Sequence, residues 1–251
     1  SDFDRPAIAI LKHNNACGCS CCDLVTAWEQ ALKADPASAF GGIIVVNRPV
    51  TEILAHKMDK LFFEIVLAPS FEQEALEVLK SKKNRIILVY DQGLQLPGKE
   101  FRSLMNGVIV QDRDISVENV FSFTQVTHRA PSKAQLKDLV FANKLVKHTK
   151  SNAIVLAANE MLLASGMGQT SRVDALKHAI EKARENGLSL KNAVMASDAF
   201  FPFPDCVELA HKEGITAVVQ PGGSIKDQLS IDYCNVNNMA MVFTGIRHFK
   251  H

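Results

Sequence analysis

Short apolar runs alternate with segments of helical periodicity along most of the chain, and this alternation limits the possible folds more than any other feature. The runs are rich in β-branched residues, as at residues 41–46, where isoleucines and valines follow two glycines. Between them, apolar residues recur at helical spacing, as at residues 24–32. Continuous apolar strands separated by helices are typical of a mostly parallel sheet covered on both faces. The sequence therefore predicts an α/β fold.

The same pattern predicts individual elements and a division of the chain. Strands are predicted at residues 7–11, 41–46, 64–69, 85–90, 107–111, 153–158, 193–196, 216–220 and 240–244. Helices are predicted at residues 24–32, 53–61, 72–82, 171–187 and 205–214, with a further long helix after its N-cap, Ser132. Because periodicity weakens between residues 91 and 129, we predict two similar α/β subdomains, residues 1–128 and 129–251, rather than one continuous sheet.

Composition excludes several classes of protein. The 251 residues carry a net charge of +1, which provides no strongly basic surface for nucleic acid or for an anionic membrane. No apolar stretch approaches the roughly eighteen residues that span a bilayer, and residues 1–6 lack the features of a signal peptide. We expect a soluble protein that binds neither nucleic acid nor membranes.

Four of the six cysteines lie close together, at positions 17, 19, 21 and 22. A zinc or iron–sulfur site could use Cys19 and Cys22, but it would need a second ligand pair. No second C-x-x-C or H-x-x-x-H pair follows at a usable spacing. We therefore expect reduced cysteines at a strand-to-helix junction and no bound metal, and a metal held by this cluster is the alternative.

Polar residues gather where predicted strands end, and open α/β sheets usually bind ligands there. Lys12 and His13 follow the first strand, where a lysine needs solvent or an anion, although His13 could be an ordinary hydrogen-bonded loop residue. The Gly-rich stretches at residues 166–172 and 220–227 could hold an anion at a helix start or be simple turns. The other clusters are SAFGG (38–42), KSN (150–152) and SDAFFPFPD (197–205).

Two stretches have an unusual composition. Residues 199–205, AFFPFPD, combine three phenylalanines with two prolines, so they cannot form a helix interior. They form either a plug in the core or a rigid aromatic wall for a planar ligand. The stretch TGIRHFKH, residues 244–251, is either a disordered basic tail or an ordered segment.

Taken together, these motifs resemble the transformylase domain of the bifunctional family of 5-aminoimidazole-4-carboxamide ribonucleotide (AICAR) formyltransferase/IMP cyclohydrolases. The matching stretches are AILKHNNACG, DPASAFGG, IVLAPSFEQEALEVLKSKKN, VKHTKSNAIVLA, GMGQTSRVDALKHA, ASDAFFPFPD, QPGGSIKD and RHFKH. The resemblance implies two cytidine-deaminase-like three-layer α/β/α subdomains and a cytoplasmic enzyme of de novo purine synthesis. The zinc signature of true deaminases, H-x-E with P-C-x-x-C, is absent from the sequence, which agrees with a reaction that needs no metal.

The implied reaction transfers a formyl group from 10-formyltetrahydrofolate, the co-substrate, to the 5-amino group of AICAR. That amine is a weak nucleophile, so a base must take its proton and a cation must stabilise the oxyanion. The resemblance places Lys12 at the cation and His13 at the base, and Asn152 at the position that orients the formyl group. We therefore expect these three residues to be catalytic.

The resemblance also implies substrate-binding residues, and it leaves one of them in doubt. Its binding positions for AICAR and folate match Gly41, Glu64, Arg172, Phe200, Asp205 and Arg247, with Arg247 at the phosphate. The family commonly has an arginine where this chain has Pro204, so any contact made by that arginine is in doubt.

The resemblance implies a homodimer whose active sites draw residues from both subunits. It also places a phosphate-binding motif and the cyclohydrolase domain before the first residue of this chain. We therefore expect the chain to be a fragment of a longer protein. The alternative to an active formyltransferase is a truncated domain that binds nucleotide or folate without turnover.

Overall fold

The computed structural model describes residues 2–91, 93 and 97–250. The strands within them are β1 (Ile8–Lys12), β2 (Asn15–Ser20), β3 (Gly42–Val46), β4 (Phe63–Ala68), β5 (Ile86–Val89), β6 (Lys99–Ser103), β7 (Val108–Asp112), β8 (Thr124–Gln125), β9 (Ile154–Ala158), β10 (Met161–Gly166), β11 (Val194–Ser197), β12 (Ala217–Gln220) and β13 (Ala240–Phe243). The helices are α1 (Leu24–Ala34), α2 (Pro36–Ala39), α3 (Glu52–Met58), α4 (Gln73–Lys80), α5 (Lys133–Lys147), α6 (Arg172–Glu185), α7 (Asp205–Lys212) and α8 (Asp227–Val236). These elements confirm the predicted α/β fold.

One sheet of eleven strands crosses the described part of the chain, in the order β5-β4-β3-β1-β2-β10-β9-β11-β12-β13-β8. The expectation of two separate sheets is therefore wrong. The two halves are joined because β2 pairs with β10, through Ser20 and Met161. In addition β8, which precedes residue 128, pairs with β13 at the far edge. The subdomain boundaries at residue 128 stay a prediction.

The parallel pairing that the sequence predicts is present in the two flanks of this sheet. Strands β3, β4 and β5 are parallel to one another, and so are β11, β12 and β13. The centre is antiparallel instead, because β1–β2 and β9–β10 are hairpins. The sheet is mixed, with two parallel flanks around an antiparallel centre.

The helical layers differ between the two halves. In the second half, Ile154 and Leu156 face a core formed with α6, α7 and α8, while Val155 and Ala157 face α5. In the first half, α1, α3 and α4 cover one face, where Ile8 and Ile44 are fully buried. The side chains on the opposite face of β1, β3 and β4 are only half-buried, at Leu11, Ile43, Val45, Ile65 and Leu67. Coverage on both faces, which the sequence predicts throughout, holds for the second half alone.

Two local predictions about helix ends can be checked directly. Ser132 caps α5 as predicted: its hydroxyl accepts a hydrogen bond from the Gln135 N–H, and the Gln135 side chain accepts one from the Ser132 N–H. Gly187 follows the cap of α6 with a φ of +66°, the left-handed conformation that commonly ends a helix at glycine.

Candidate active site

All of the polar clusters predicted from the sequence lie along one edge of the sheet. Strands β1, β10, β11 and β12 end at this edge, while β2, β3, β4 and β9 begin there, because their pairings alternate in direction. The edge therefore carries Lys12 and His13, Gly41, Asn152, the turn at residues 166–172, and the start of SDAFFPFPD. The sequence predicts polar clusters where strands end, and the structure adds that Gly41 and Asn152 instead precede the strands β3 and β9 at the same edge.

Lys12 and His13 belong to a tight hairpin. Lys12 pairs with Asn15 across the strands, so His13 and Asn14 form the two-residue loop between β1 and β2. Their φ values are +49° and +63°, as the favoured two-residue hairpin turns require. A positive φ is uncommon at a histidine, and the turn leaves the His13 side chain exposed. The turn therefore presents the imidazole to solvent at the sheet edge.

Lys12 and Gly41 are in direct contact. The Lys12 ammonium donates hydrogen bonds to the carbonyl oxygens of Phe40, at 2.7 Å, and Gly41, at 3.1 Å. Gly41 has a φ of +68°, and a Cβ at this position would lie 3.2 Å from Lys12 Nζ. An ammonium has three N–H donors, so two hold it in place and the third can bind an oxygen of a ligand. The local backbone thus requires glycine and orients the lysine.

Lys12 and His13 line a cavity of about 270 Å³ at this edge, together with Asp35 and Lys182. The Asp35 carboxylate is buried, accepts a hydrogen bond from the Ser38 hydroxyl at 2.6 Å and lies 3.2 Å from Lys182 Nζ. Sequence reasoning did not single out Asp35 or Lys182. The signal that could have identified Asp35 is its position directly before Pro36, where its side chain caps α2.

Asn152 lies at the same edge, but it does not contact Lys12 or His13. Its amide donates hydrogen bonds to the carbonyl oxygens of Gln169, at 3.0 Å, and Thr170, at 3.2 Å. Three strand spacings separate β1 from β9, which is roughly 14 Å. The connection is indirect: Asn15 in the hairpin accepts a hydrogen bond from the Lys150 N–H at 2.9 Å. The predicted catalytic residues therefore form two groups within one chain.

The second group contains two of the predicted binding residues, Arg172 and Arg247. Arg172 lies 3.2 Å from the carboxylate of Asp198; the Asp198 side chain is fully buried and that of Arg172 is partly buried. The Phe249 ring lies near both arginines, with its centroid 6.0 Å from the Arg172 guanidinium and 4.7 Å from that of Arg247. Arg247 itself is exposed and can reach a ligand. Residues 244–250 of the stretch TGIRHFKH therefore follow the ordered alternative, and His251 lies outside the described residues.

The phenylalanine-rich stretch combines both of its predicted roles. Phe201 is fully buried and acts as the core plug. Phe200 is half-buried, and Phe203 is exposed beneath the Lys226 ammonium, which lies 4.3 Å from the ring centroid. Asp205 is exposed at the first position of α7, and Pro204 occupies the preceding cap position. The stretch thus provides a partly exposed aromatic surface that ends in a carboxylate.

Glu64 lies apart from the cavity at Lys12. It is exposed near the start of β4 and lines a larger cavity of about 790 Å³, together with Phe62, Lys82 and Lys83. Phe62 of this larger cavity packs against Phe40, with the ring centroids 5.1 Å apart, and the Phe40 carbonyl oxygen accepts a hydrogen bond from Lys12. Glu64 is therefore near the Lys12 group without contacting it.

Cys17 and Cys19 lie in β2, and Cys21 and Cys22 lie at the predicted strand-to-helix junction between β2 and α1; all six cysteines are free thiols. Burial raises the pKa of Cys17 to about 11 and raises that of Cys19 further. Such thiols stay protonated at neutral pH, and metals bind the thiolate. Within the described residues, no three His, Cys, Asp or Glu side chains are grouped to hold a metal ion.

The structure is that of an α/β protein whose candidate site residues, on a Lys–His hairpin, an arginine pair and an aromatic stretch, lie along one edge of the sheet. Comparison with known proteins identifies the family. The model of the AICARFT/IMPCHase bienzyme family matches residues 1–182. The chain belongs to that family, which confirms the resemblance seen in the sequence.

Three curated relatives are named bifunctional purine biosynthesis protein PurH. The protein of Bacteroides thetaiotaomicron is 58% identical over all of this chain and 49% of its own length. Those of Pediococcus pentosaceus and Acetivibrio thermocellus are 47% and 48% identical over all of this chain, and over 50% and 49% of their own lengths. The chain therefore spans about half the length of the curated relatives it matches.

One solved structure, a diaminohydroxyphosphoribosylaminopyrimidine deaminase/5-amino-6-(5-phosphoribosylamino)uracil reductase from Thermotoga maritima, aligns with part of the chain. It is 20% identical, with a TM-score of 0.30, and the match covers 42% of this chain and 34% of that one. A likeness this small carries no argument, so the deaminase-like architecture stays a prediction. Among the described helices, none combines the length and apolar character that crossing a membrane requires.

Proposed function

We propose that this chain carries the formyltransferase activity of its family, transferring the formyl group of 10-formyltetrahydrofolate to the 5-amino group of AICAR in the cytoplasm. The observation that supports this most is the hairpin, where two backbone carbonyls hold the Lys12 ammonium and a positive φ presents His13 beside it. A fixed cation next to an exposed base is the pair that acyl transfer to a weak amine needs.

The reaction divides between these residues. The amine nitrogen attacks the formyl carbon, a new C–N bond forms, and His13 accepts the proton that the amine loses. The third N–H of Lys12 stabilises the oxyanion of the tetrahedral intermediate. That intermediate then breaks its bond to N10 of the folate, which leaves as tetrahydrofolate after taking up a proton. Asn152 orients the formyl group through its amide.

The residues that bind the two substrates belong to both groups at the edge, the hairpin group and the group that contains Arg247. Gly41 and Glu64 lie on the side of the hairpin and contact the imidazole carboxamide. Arg247 binds the phosphate of AICAR, and its exposed guanidinium is a suitable partner for a dianion. Phe200 provides an aromatic surface for the folate, and Asp205 binds the polar edge of the pterin. Arg172 supports this region from its buried contact with Asp198.

The separation of the two groups favours a homodimer in which each site combines the hairpin of one copy with Asn152 and Arg247 of the other. Apolar surface for such an interface is present. One face of the β6–β7 ribbon carries Phe101, Val108 and Val110, which are 74%, 58% and 55% exposed. A two-stranded ribbon with an uncovered apolar face is marginal alone in water.

The ribbon is not the only uncovered apolar surface in the first half. The face of β1, β3 and β4 opposite α1 is half-buried, and Leu88 and Val89 of β5 are exposed. A standard interface needs about 800 Å² from each partner, and we propose that these faces contribute to it. Sedimentation at micromolar concentration is expected to show a dimer, and a monomer would contradict shared sites.

The test of the proposed function is His13→Ala, with His56→Ala as the matched control. His56 is also an exposed histidine, but it lies on α3 beside Glu52 and away from the edge. Loss of a general base costs about 10²–10⁴ in rate, so His13→Ala is expected to lose formyl transfer while both variants keep the fold and bind AICAR.

Two outcomes would contradict the proposal. If His13→Ala keeps more than half of the parent's turnover, His13 is not the base. If the parent binds AICAR and folate but forms no product, the chain is the non-catalytic binding domain that the sequence leaves as the alternative.

A further inference from the structure

His248 is a buried residue that the proposed reaction does not use, and it joins three parts of the fold. Its ring nitrogens lie 2.6 Å from Asp114 Oδ2 and 2.8 Å from Glu118 Oε2. Its backbone N–H donates a hydrogen bond to the carbonyl oxygen of Asp198 at 2.9 Å. Glu118 in turn accepts a hydrogen bond from Asn143 of α5 at 2.7 Å. The imidazole therefore ties the segment after β13 to the loop after β7 and, through Glu118, to α5.

The contact is strong because it is charged and shielded from water. The His248 side chain is 1% exposed and that of Glu118 is 3% exposed, while Asp114 is half-exposed. Burial alone would lower the pKa of His248, but hydrogen bonds to Glu118 and Asp114 outweigh it and raise this pKa. An imidazolium donates from both nitrogens, which satisfies both carboxylates, and charge-assisted bonds of this kind are among the strongest in proteins.

The position of His248 in the chain connects it to the proposed phosphate site. Residues 244–250 form neither helix nor strand, so their path is set by individual contacts. The side chains alternate along this segment: Arg247 and Phe249 are exposed, while His248 between them is buried. A second contact lies at Lys250, whose N–H donates to the Ser151 hydroxyl at 3.0 Å. Among the described residues Arg247 contacts the Phe249 ring, and the backbone held at His248 sets the position from which the Arg247 side chain extends.

We propose that His248 is a positioning residue for the phosphate of the substrate, acting through Arg247. This inference rests on the proposed function, in which Arg247 binds the phosphate of AICAR. By fixing the backbone beside Arg247, His248 reduces the conformational freedom that binding would otherwise have to remove. Its effect should therefore appear in the affinity for phosphorylated substrate, and it should vanish for ligands without a phosphate.

The test compares His248→Leu with Asn143→Ala, measured by calorimetry with AICAR and with its nucleoside, which lacks the phosphate. Asn143→Ala disturbs the same buried Glu118 from the α5 side and leaves His248 in place, so it is the matched control for lost stability. A charge-assisted contact is worth roughly ten- to a hundredfold in affinity. We expect His248→Leu to weaken AICAR about tenfold and the nucleoside less than twofold, and Asn143→Ala to leave both affinities unchanged.

A double-mutant cycle with Arg247→Ala shows whether the effect passes through this arginine. The two substitutions together should weaken AICAR no more than Arg247→Ala alone, because a guanidinium that is absent cannot be misplaced. In formyl transfer, His248→Leu should raise KM for AICAR and leave kcat within about twofold. If His248→Leu does not fold, His248→Gln, which can still bond one carboxylate, takes its place.

The outcomes separate this inference from the proposed function. Equal weakening of AICAR and the nucleoside, additive losses in the cycle, or an unchanged AICAR affinity would overturn the role of His248 while formyl transfer stands. Phosphate-dependent binding that follows the predicted pattern in a protein without turnover would leave the inference standing and refute the activity. A parent that does not bind AICAR would overturn both.

Discussion

The contact between Gly41 and Lys12 gives a prediction in which stability and activity can be separated. In Gly41→Ala the new methyl group meets two obstacles. The backbone has a φ of +68°, which costs an alanine roughly 1–2 kcal/mol relative to glycine. The Cβ also lies 3.2 Å from Lys12 Nζ and 3.7 Å from the Phe62 ring. Because the ammonium is the end of a flexible side chain, it can move away, and it then loses its hydrogen bonds to the carbonyls.

Gly187→Ala is the matched control, because Gly187 has nearly the same φ, +66°, and nothing within 4 Å of its Cβ. Both variants should lose about 1–2 kcal/mol of unfolding free energy, and the melting temperature should fall by about 2–4 °C per kcal/mol in a domain of this size. Only Gly41→Ala should lose activity. Removal of one oxyanion donor typically costs about 10²–10³ in kcat, so a partial displacement of Lys12 should cost at least about tenfold.

Urea unfolding and formyl transfer with saturating AICAR and 10-formyltetrahydrofolate measure the two effects. If Gly41→Ala keeps the parent's kcat, the position of the Lys12 ammonium does not matter to the reaction. If Gly187→Ala loses as much kcat as Gly41→Ala, the loss reflects general destabilisation, and the assignment of Lys12 is wrong.

Three further predictions concern packing, thiols and pH. Gly166→Ala would place a Cβ 1.7 Å from the Ala175 carbonyl oxygen, so β10 and α6 must separate. Urea unfolding should show that the free energy of unfolding falls by at least about 2–3 kcal/mol. Gly107→Ala is the control, because the space around Gly107 is open and no loss is expected. Burial raises the pKa of Cys17 to about 11 and those of Cys206 and Cys234 to about 12. At pH 8 these thiols should therefore react with a disulfide reagent far more slowly in the folded protein than in the unfolded protein. Rapid labelling of Cys17 in the folded protein would contradict its burial. Because the pKa of His248 is raised in the folded protein, the stabilisation by His248 is complete below its ordinary pKa of 6.5 and is lost as pH rises through the folded pKa. Burial raises the pKa of Glu118, but the contact with His248 lowers it overall, so the stabilisation by Glu118 is complete above its ordinary pKa of 4.5 and is lost as pH falls. The stability difference between the parent and His248→Gln should therefore be largest between pH 4.5 and 6.5 and should shrink at pH 9.5, and a difference that does not change with pH would refute the charged contact.

The parts of the fold that the sequence predicts are those whose signal is local. Each strand of the parallel flanks is a continuous apolar run, and each is followed by an amphipathic helix or a clear break. The sequence does not predict four of the described strands, β2, β6, β8 and β10. Of these, β2 and β10 are joined to their hairpin partners by two-residue turns, His13–Asn14 and Asn159–Glu160. Neither turn contains the glycine that usually marks such a hairpin.

The union of the two halves into one sheet could not be predicted for the same reason. It depends on β2 and β10, and their pairing joins residues that are distant in sequence. The ordinary signs of a domain boundary, weak periodicity and loops near residue 128, are present even though the sheet continues across the described chain.

The candidate site was predictable in position but not in grouping. Strand ends mark the edge, and the polar residues on it follow directly from the sequence. Which of them touch depends on the order of strands in the sheet, so the contact of Lys12 with Gly41 and the distance between Lys12 and Asn152 emerge only from the structure. The buried roles of Asp198 and His248 were also invisible, because their partners lie far away in sequence.

The most direct test of a formyltransferase site shared between two copies is activity regained by mixing two inactive variants. His13→Ala removes the base from the hairpin group, and Asn152→Ala removes the amide from the group that contains Arg247. Each homodimer is therefore expected to be inactive. A mixed dimer has one site with both substitutions and one site with neither. After the variants are mixed at equal concentration and allowed to exchange subunits, half of the dimers are mixed.

Formyl transfer from 10-formyltetrahydrofolate to AICAR is then expected at about a quarter of the parent's rate, since half of the dimers each hold one intact site of two. Sedimentation and subunit exchange of labelled protein confirm that mixed dimers form. A mixture that contains mixed dimers but is no more active than either variant alone would contradict the account.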